Sequence, residues 1–170
     1  MFCVYWTSNH RLKKTMARRT DKRFDKTRHY FFLNPYKDCA FTKCPKCDSS
    51  TKIRKFPLVI HVDPHQIILL NKKCQYCIKC DLIIAKQSEV ESLMIVCLEK
   101  VNPDVIGNDY LAIGVVDRKG WKEGNNGKLD SAEMLERAYL FKDVLKFELV
   151  PGGWYPAVKK TNSSSQVKEA

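Results

Sequence analysis

The apolar positions of this chain gather in strand-like runs between about residues 51 and 85, and the segment that follows carries them at helical spacing. Thr51 to Val62 (TKIRKFPLVIHV) is rich in β-branched and aromatic residues. Gln66 to Leu70 (QIILL) continues in the same way after the turn signal Asp63-Pro64, so two antiparallel strands are predicted. Pro57 lacks a backbone donor and makes the first an edge or bulged strand. Leu82 to Ala85 reads as a third strand. Ser88 followed by Glu91 is a capping box that announces a helix. Val90, Leu93, Met94, Cys97 and Val101 then recur at helical spacing, a stripe that reads as core, and Asn102-Pro103 stops it.

Beyond the helix, Gly107-Asn108-Asp109 turns the chain into a buried strand, Tyr110 to Val116, with Gly114 marking a close approach. Gly120, Gly124 and Gly127 fall in a predicted loop that lacks the glycine order of a nucleotide-binding turn. Asp130 or Ser131 caps a second predicted helix with Met134, Leu135, Ala138, Phe141 and Leu145 on its apolar face. Phe147 to Val150 reads as a last strand, and Gly152 to Pro156 closes the fold. Met16 to Arg28 shows no apolar periodicity. The cluster His29 to Tyr36 (HYFFLNPY) is read as an aromatic strand covering its neighbour, with stacking on unpaired bases as the second use of such rings beside a basic arm.

These elements predict an α+β fold in four parts. Residues 1–35 form a basic flexible arm, 36–87 a β-hairpin domain, 88–156 a small helix-strand-helix-strand unit that borrows the hairpin's core, and 157–170 a disordered tail. Met16 is the expected initiator, which leaves Cys3, Tyr5 and Trp6 without a function.

Composition adds little until charge is located. The 170 residues are 44% hydrophobic and 11% aromatic, ordinary globular material. The longest apolar runs, such as Leu93 to Leu98, fall short of the roughly 20 residues that cross a bilayer, and the first residues lack the organisation of a secretory signal. A cytoplasmic location without membrane contact is expected. The net charge of +11 is concentrated: residues 1–56 carry 15 Lys or Arg against 4 Asp or Glu, and residues 57–170 carry 15 against 15. Such clustering is the footprint of polyanion binding, here assigned to Arg18, Arg19, Arg23, Arg28, Arg54 and Lys55; a merely solubilising tail is the other use of such a run.

The chemistry lies in the cysteines. Cys44-Pro-Lys-Cys47 opens a stretch that closes with Cys74-Gln-Tyr-Cys77-Ile-Lys-Cys80. Two Cys-x-x-Cys pairs separated by strand-forming sequence converge four thiolates on one tetrahedral ion. Close spacing and the lack of an export signal favour reduced, metal-bound thiolates over disulfides. Cys77-Ile-Lys-Cys80-Asp81 repeats Cys44-Pro-Lys-Cys47-Asp48, with 29 residues between the pairs, so Cys44, Cys47, Cys77 and Cys80 are the preferred ligands. The pairing that uses Cys74 and Cys77 leaves 26 residues between pairs. Zinc is the expected ion, and iron is compatible with the same four sulfurs. Cys97 is expected to be inert, and His61 and His65 are weak ligand candidates.

On these knuckles, residues 36–87 resemble the zinc ribbons found in transcription factors, ribosomal proteins and many enzymes. The wider run from NPYKDCAFTKCPKCD through LNKKCQYCIKCDLIIAKQ to DYLAIGVVDRK is similar to an uncharacterised group of bacterial zinc-ribbon-like proteins, a resemblance that brings no activity with it. The usual knuckle has Gly after its last Cys, where this chain has Asp48 and Asp81, residues that tolerate the left-handed conformation better than most.

Three function classes follow. A zinc-held module binding nucleic acid or a ribonucleoprotein through the basic third is preferred. A protein-interaction scaffold with Trp121, Trp154 and Tyr155 as anchors is second. An enzyme would use His61, Asp63 and His65 at one turn, but no catalytic motif supports it.

Overall fold

The computed structural model describes residues 3–6 as backbone and residues 26–144 with their side chains. Seven strands form one sheet: β1 Cys3–Trp6, β2 Tyr30–Asn34, β3 Lys52–Val62, β4 Gln66–Cys77, β5 Leu82–Lys86, β6 Tyr110–Val116 and β7 Ala138–Leu140. Six follow the order β2-β5-β4-β3-β6-β7, and β1 pairs with β4. Only the β2–β5 pair is parallel. The sheet curls until its ends meet. Arg28 N donates to Leu140 O at 2.7 Å, Leu140 N to Lys26 O at 3.1 Å and Lys142 N to His29 O at 2.8 Å, so the residues leading into β2 close against β7.

The β3–β4 hairpin is the spine. Its eleven-residue ladder pairs Lys52 with Tyr76 at one end and Val62 with Gln66 at the other. Leu58, Ile60, Val62, Ile68 and Leu70 enter the main core on one face. Val59 and Leu69 point to the other, where Val116 and Met134 cover them. With both faces covered, the stretch from Leu58 to Ile60 is buried at every position, as expected of a strand that faces no water. Each such Leu or Ile contributes about 1.5–3 kcal/mol on burial. Helix α1, Gln87–Leu98, seals the main core through Val90, Met94, Cys97 and Leu98.

Several expectations need correcting. Helix α1 starts one residue before Ser88, with Lys86 as N-cap and no side-chain cap bond. The predicted glycine loop contains a helix, α2, Arg118–Asn125, whose N-cap Asp117 accepts from Gly120 N. The next helix, α3, spans only Ser131–Glu136. Its capping box on Asp130 is formed, but the chain then becomes β7, so Ala138 lies in a strand and Phe141 stacks on Phe31 at 4.5 Å in the core. Residues 30–34 are strand β2, as the aromatic run was read, so the flexible arm expected over residues 1–35 does not reach that far, and residues 3–6 are strand β1. Of the two alternatives for β3, the edge strand fails, because it pairs with β6 from Leu58 to Val62, whereas the register shift between Val59 and Ile60 fits the bulged one. Pro57 sits just past the end of that ladder, where no donor is needed. Through this pairing the sheet runs unbroken across the boundary expected at residues 87 and 88. Phe147 to Val150, Trp154, Tyr155 and the predicted tail lie outside the described residues.

Candidate metal centre

The first knuckle precedes β3 and the second follows β4, so the long hairpin brings both to one end. There the sulfurs of Cys44, Cys47, Cys77 and Cys80 all lie within 4.8 Å of one another, and no other comparable group of His, Cys, Asp or Glu converges among the described residues. Cys47 Sγ and Cys77 Sγ are 3.6 Å apart. Four sulfurs about 2.3 Å from a tetrahedral zinc ion would be separated by about 3.8 Å, so the donor set fits such an ion.

In each knuckle a backbone amide points at the sulfur of the first cysteine. Lys46 N donates to Cys44 Sγ at 3.4 Å and Cys80 N to Cys77 Sγ at 3.5 Å. These amides offset thiolate charge. The residue after each knuckle takes the left-handed conformation, Asp48 at φ 54° and Asp81 at φ 53°, so aspartate occupies both positions where glycine is usual. Leu82 and Ile84 back the sulfurs, with Tyr30, Phe32 and Phe41 packed on them.

As bare thiols Cys44, Cys47 and Cys80 do not ionise together. Hydrogen bonds from Ser49 bring Cys47 down to about 6, whereas Cys80, hydrogen-bonded to Cys47, is pushed up to about 12 and burial raises Cys44. Four close thiolates repel one another, and a cation among them removes that opposition.

Cys74 stands outside the cluster. It is buried on β4, its Sγ is 3.8 Å from Lys72 O, and burial pushes its thiol up to about 12. Cys97 is buried on α1 and disulfide-bonded rather than a reduced thiol. At the HVDPH turn His61 Nδ1 approaches Asp63 Oδ1 at 3.5 Å, and His65 is exposed and adds no third ligand.

Asp81 carries a second network away from the sulfurs. Its carboxylate meets His29 Nδ1 at 2.5 Å, accepts from Tyr76 OH at 2.7 Å and from Lys142 Nζ at 2.8 Å. Burial opposes its charge, but Lys142, Tyr76 and His29 outweigh that and hold the carboxyl at about 2. His29 is itself lowered, mainly by burial. The rings of His29 and Tyr76 pack with Phe56, with centroids 5.3–5.6 Å apart.

Those three side chains line a cleft of about 560 Å³ that also takes in Arg28, Arg54 and Lys55. Thus three of the six expected polyanion residues meet at one place, while Arg18, Arg19 and Arg23 lie outside the described residues. Sequence reading missed Arg118 and Lys122 and named Trp121 only as an interaction anchor; all three reach the same cleft from α2. The signal that would have found them is Asp117 ahead of Arg118-Lys119-Gly120, an N-cap hidden by the glycines that follow.

No family model, curated protein or solved structure matches this chain. No helix among the described residues is long and apolar enough to cross a membrane.

Proposed function

We propose that this protein is a non-catalytic, metal-stabilised module of zinc-ribbon type that binds nucleic acid through its basic N-terminal third. The metal reading rests on the convergence of Cys44, Cys47, Cys77 and Cys80. Zinc suits four thiolates best, with iron as the other ion that the same set accepts. Four protein ligands leave no open position for a reacting water, so the ion's work is to hold the two knuckles and the hairpin ends together.

The observation that carries the binding reading is the meeting of Arg28, Arg54 and Lys55 at one cleft, next to the metal end of the hairpin. Each cation placed on a phosphate releases condensed counterions, so affinity must fall as salt rises. The test is fluorescence anisotropy of the metal-loaded chain with a labelled nucleic-acid pool at salt concentrations from 50 to 200 mM. Log affinity falling linearly with log salt, and weakened by Arg54→Ala with Lys55→Ala, supports the proposal. Absence of binding at low salt contradicts it.

A further inference from the structure

The cleft gathers more charge than the N-terminal third supplies. Arg28 precedes β2, Arg54 and Lys55 lie on β3, and Arg118 and Lys122 come from α2. All five are exposed, and none is in an ion pair among the described residues. The one carboxylate in the lining, Asp117, already accepts from Gly120 N at 2.6 Å. Five cations facing one hollow with a single acid repel one another until an anion enters.

The lining is aromatic as well as basic. Tyr76 carries the Arg54 guanidinium 5.2 Å from its ring centroid. Phe56 and Trp121 are half-buried and complete the aromatic part of the wall. Cations that follow a backbone together with rings that accept a base face are the chemistry of unpaired strands. The surface is also concave. Duplex readers insert a protruding helix or ribbon into a groove, whereas a cleft of about 560 Å³ is of the size that encloses a nucleotide-sized group.

We infer that this cleft binds an unpaired segment of nucleic acid, with Arg28, Arg54, Lys55, Arg118 and Lys122 on phosphates and a base against Trp121 and Phe56. The inference rests on the nucleic-acid reading above and adds the class of ligand and the part played by α2. A free nucleotide offers the same phosphate and base, and the experiment separates it from a strand.

The test uses the full metal-loaded chain and measures anisotropy with a labelled 12-nucleotide strand, as DNA and as RNA, and with the matching 12-base-pair duplex, with adenosine monophosphate as competitor. The strand should bind at least tenfold more tightly than the duplex. Arg118→Ala with Lys122→Ala should weaken strand binding tenfold or more and reduce the salt slope by about 1.4, as expected for two contacts on a single strand. Both side chains are exposed on α2, and unchanged metal content confirms that the variant is folded. Trp121→Leu should weaken binding with an unchanged salt slope, separating stacking from charge. Duplex binding as tight as the strand, wild-type affinity in the double variant, or displacement by the mononucleotide at equal concentration would overturn the cleft assignment and leave the wider reading standing. Failure of every nucleic acid to bind removes both.

Discussion

Tyr76 donates its hydroxyl to Asp81 at 2.7 Å, joining the floor of the basic cleft to the residue that directly follows Cys80. Asp81 holds φ 53° as part of the knuckle turn, and its carboxylate simultaneously orders Tyr76, His29 and Lys142. One residue therefore serves both the cysteine cluster and the cleft. Holding the knuckle should keep the aromatic floor in place.

Asp48 and Asp81 share a backbone conformation but not a role, and glycine substitution separates the two. Asp48 is exposed and makes no side-chain hydrogen bond among the described residues. Asp48→Gly relieves the left-handed penalty and should leave stability unchanged or raise it by up to about 1 kcal/mol. Asp81→Gly relieves the same penalty but strips three partners from a charged acceptor, and should lower stability by about 2–3 kcal/mol. Urea unfolding of the metal-loaded variants measures both, and equal effects would remove the special role of Asp81.

Cys74 should behave as a buried thiol and not as a ligand. With its thiol pushed up to about 12 by burial, the neutral form dominates at pH 8, and thiolate gains ground only as pH rises toward that value. Native-state alkylation at pH 8 followed by mass spectrometry should leave Cys74 unlabelled. Cys74→Ala should keep the bound metal, whereas Cys80→Ala should lose it. The reverse result would reassign the fourth ligand.

Lys72 is buried on β4 at 4% exposure, and its Nζ pairs with Glu89 on α1 and donates to Lys73 O at 3.3 Å. Glu89→Gln leaves that ammonium without its countercharge and should cost about 1–3 kcal/mol, below the cost of breaking a fully buried pair because Glu89 is largely exposed. Adding Lys72→Met should recover most of the loss. A double-mutant cycle in urea checks it, and additive losses would contradict the pairing.

Gly114 leaves room for β7. A Cβ there would stand 2.1 Å from Tyr139 O, a backbone atom that cannot swing aside. Gly114→Ala should therefore destabilise by about 1–3 kcal/mol or more, read as a lower midpoint in urea. An unchanged midpoint would mean that β7 does not pack as described.

Much of this was legible in the residues, and the failures have physical causes. The first hairpin strand, β5 and β6 were readable because β-branched runs between turn signals carry strand information locally, whereas β4 runs on to Cys77, past the end of its apolar run at Leu70. The knuckle repeat ending in Asp48 and Asp81 singled out the four cysteines that converge. Helix α2 was hidden because Gly120 and Gly124 have poor helix propensity, but the first packs close to Arg137 and the second against Met134. Phe141 was placed on a helix because its spacing from Met134 and Ala138 is helical, whereas stacking on Phe31 is a long-range contact that spacing does not record. The cleft was invisible for the same reason, since Arg54 and Arg118 are brought together only by the β3–β6 pairing.

The measurement that bears most directly on the central claim is elemental analysis of the natively purified chain beside its Cys77→Ser variant. One zinc or iron ion per chain, lost in the variant together with much of the urea resistance, is the predicted result. A wild-type chain that is folded and free of metal would contradict the four-cysteine centre and the function built on it.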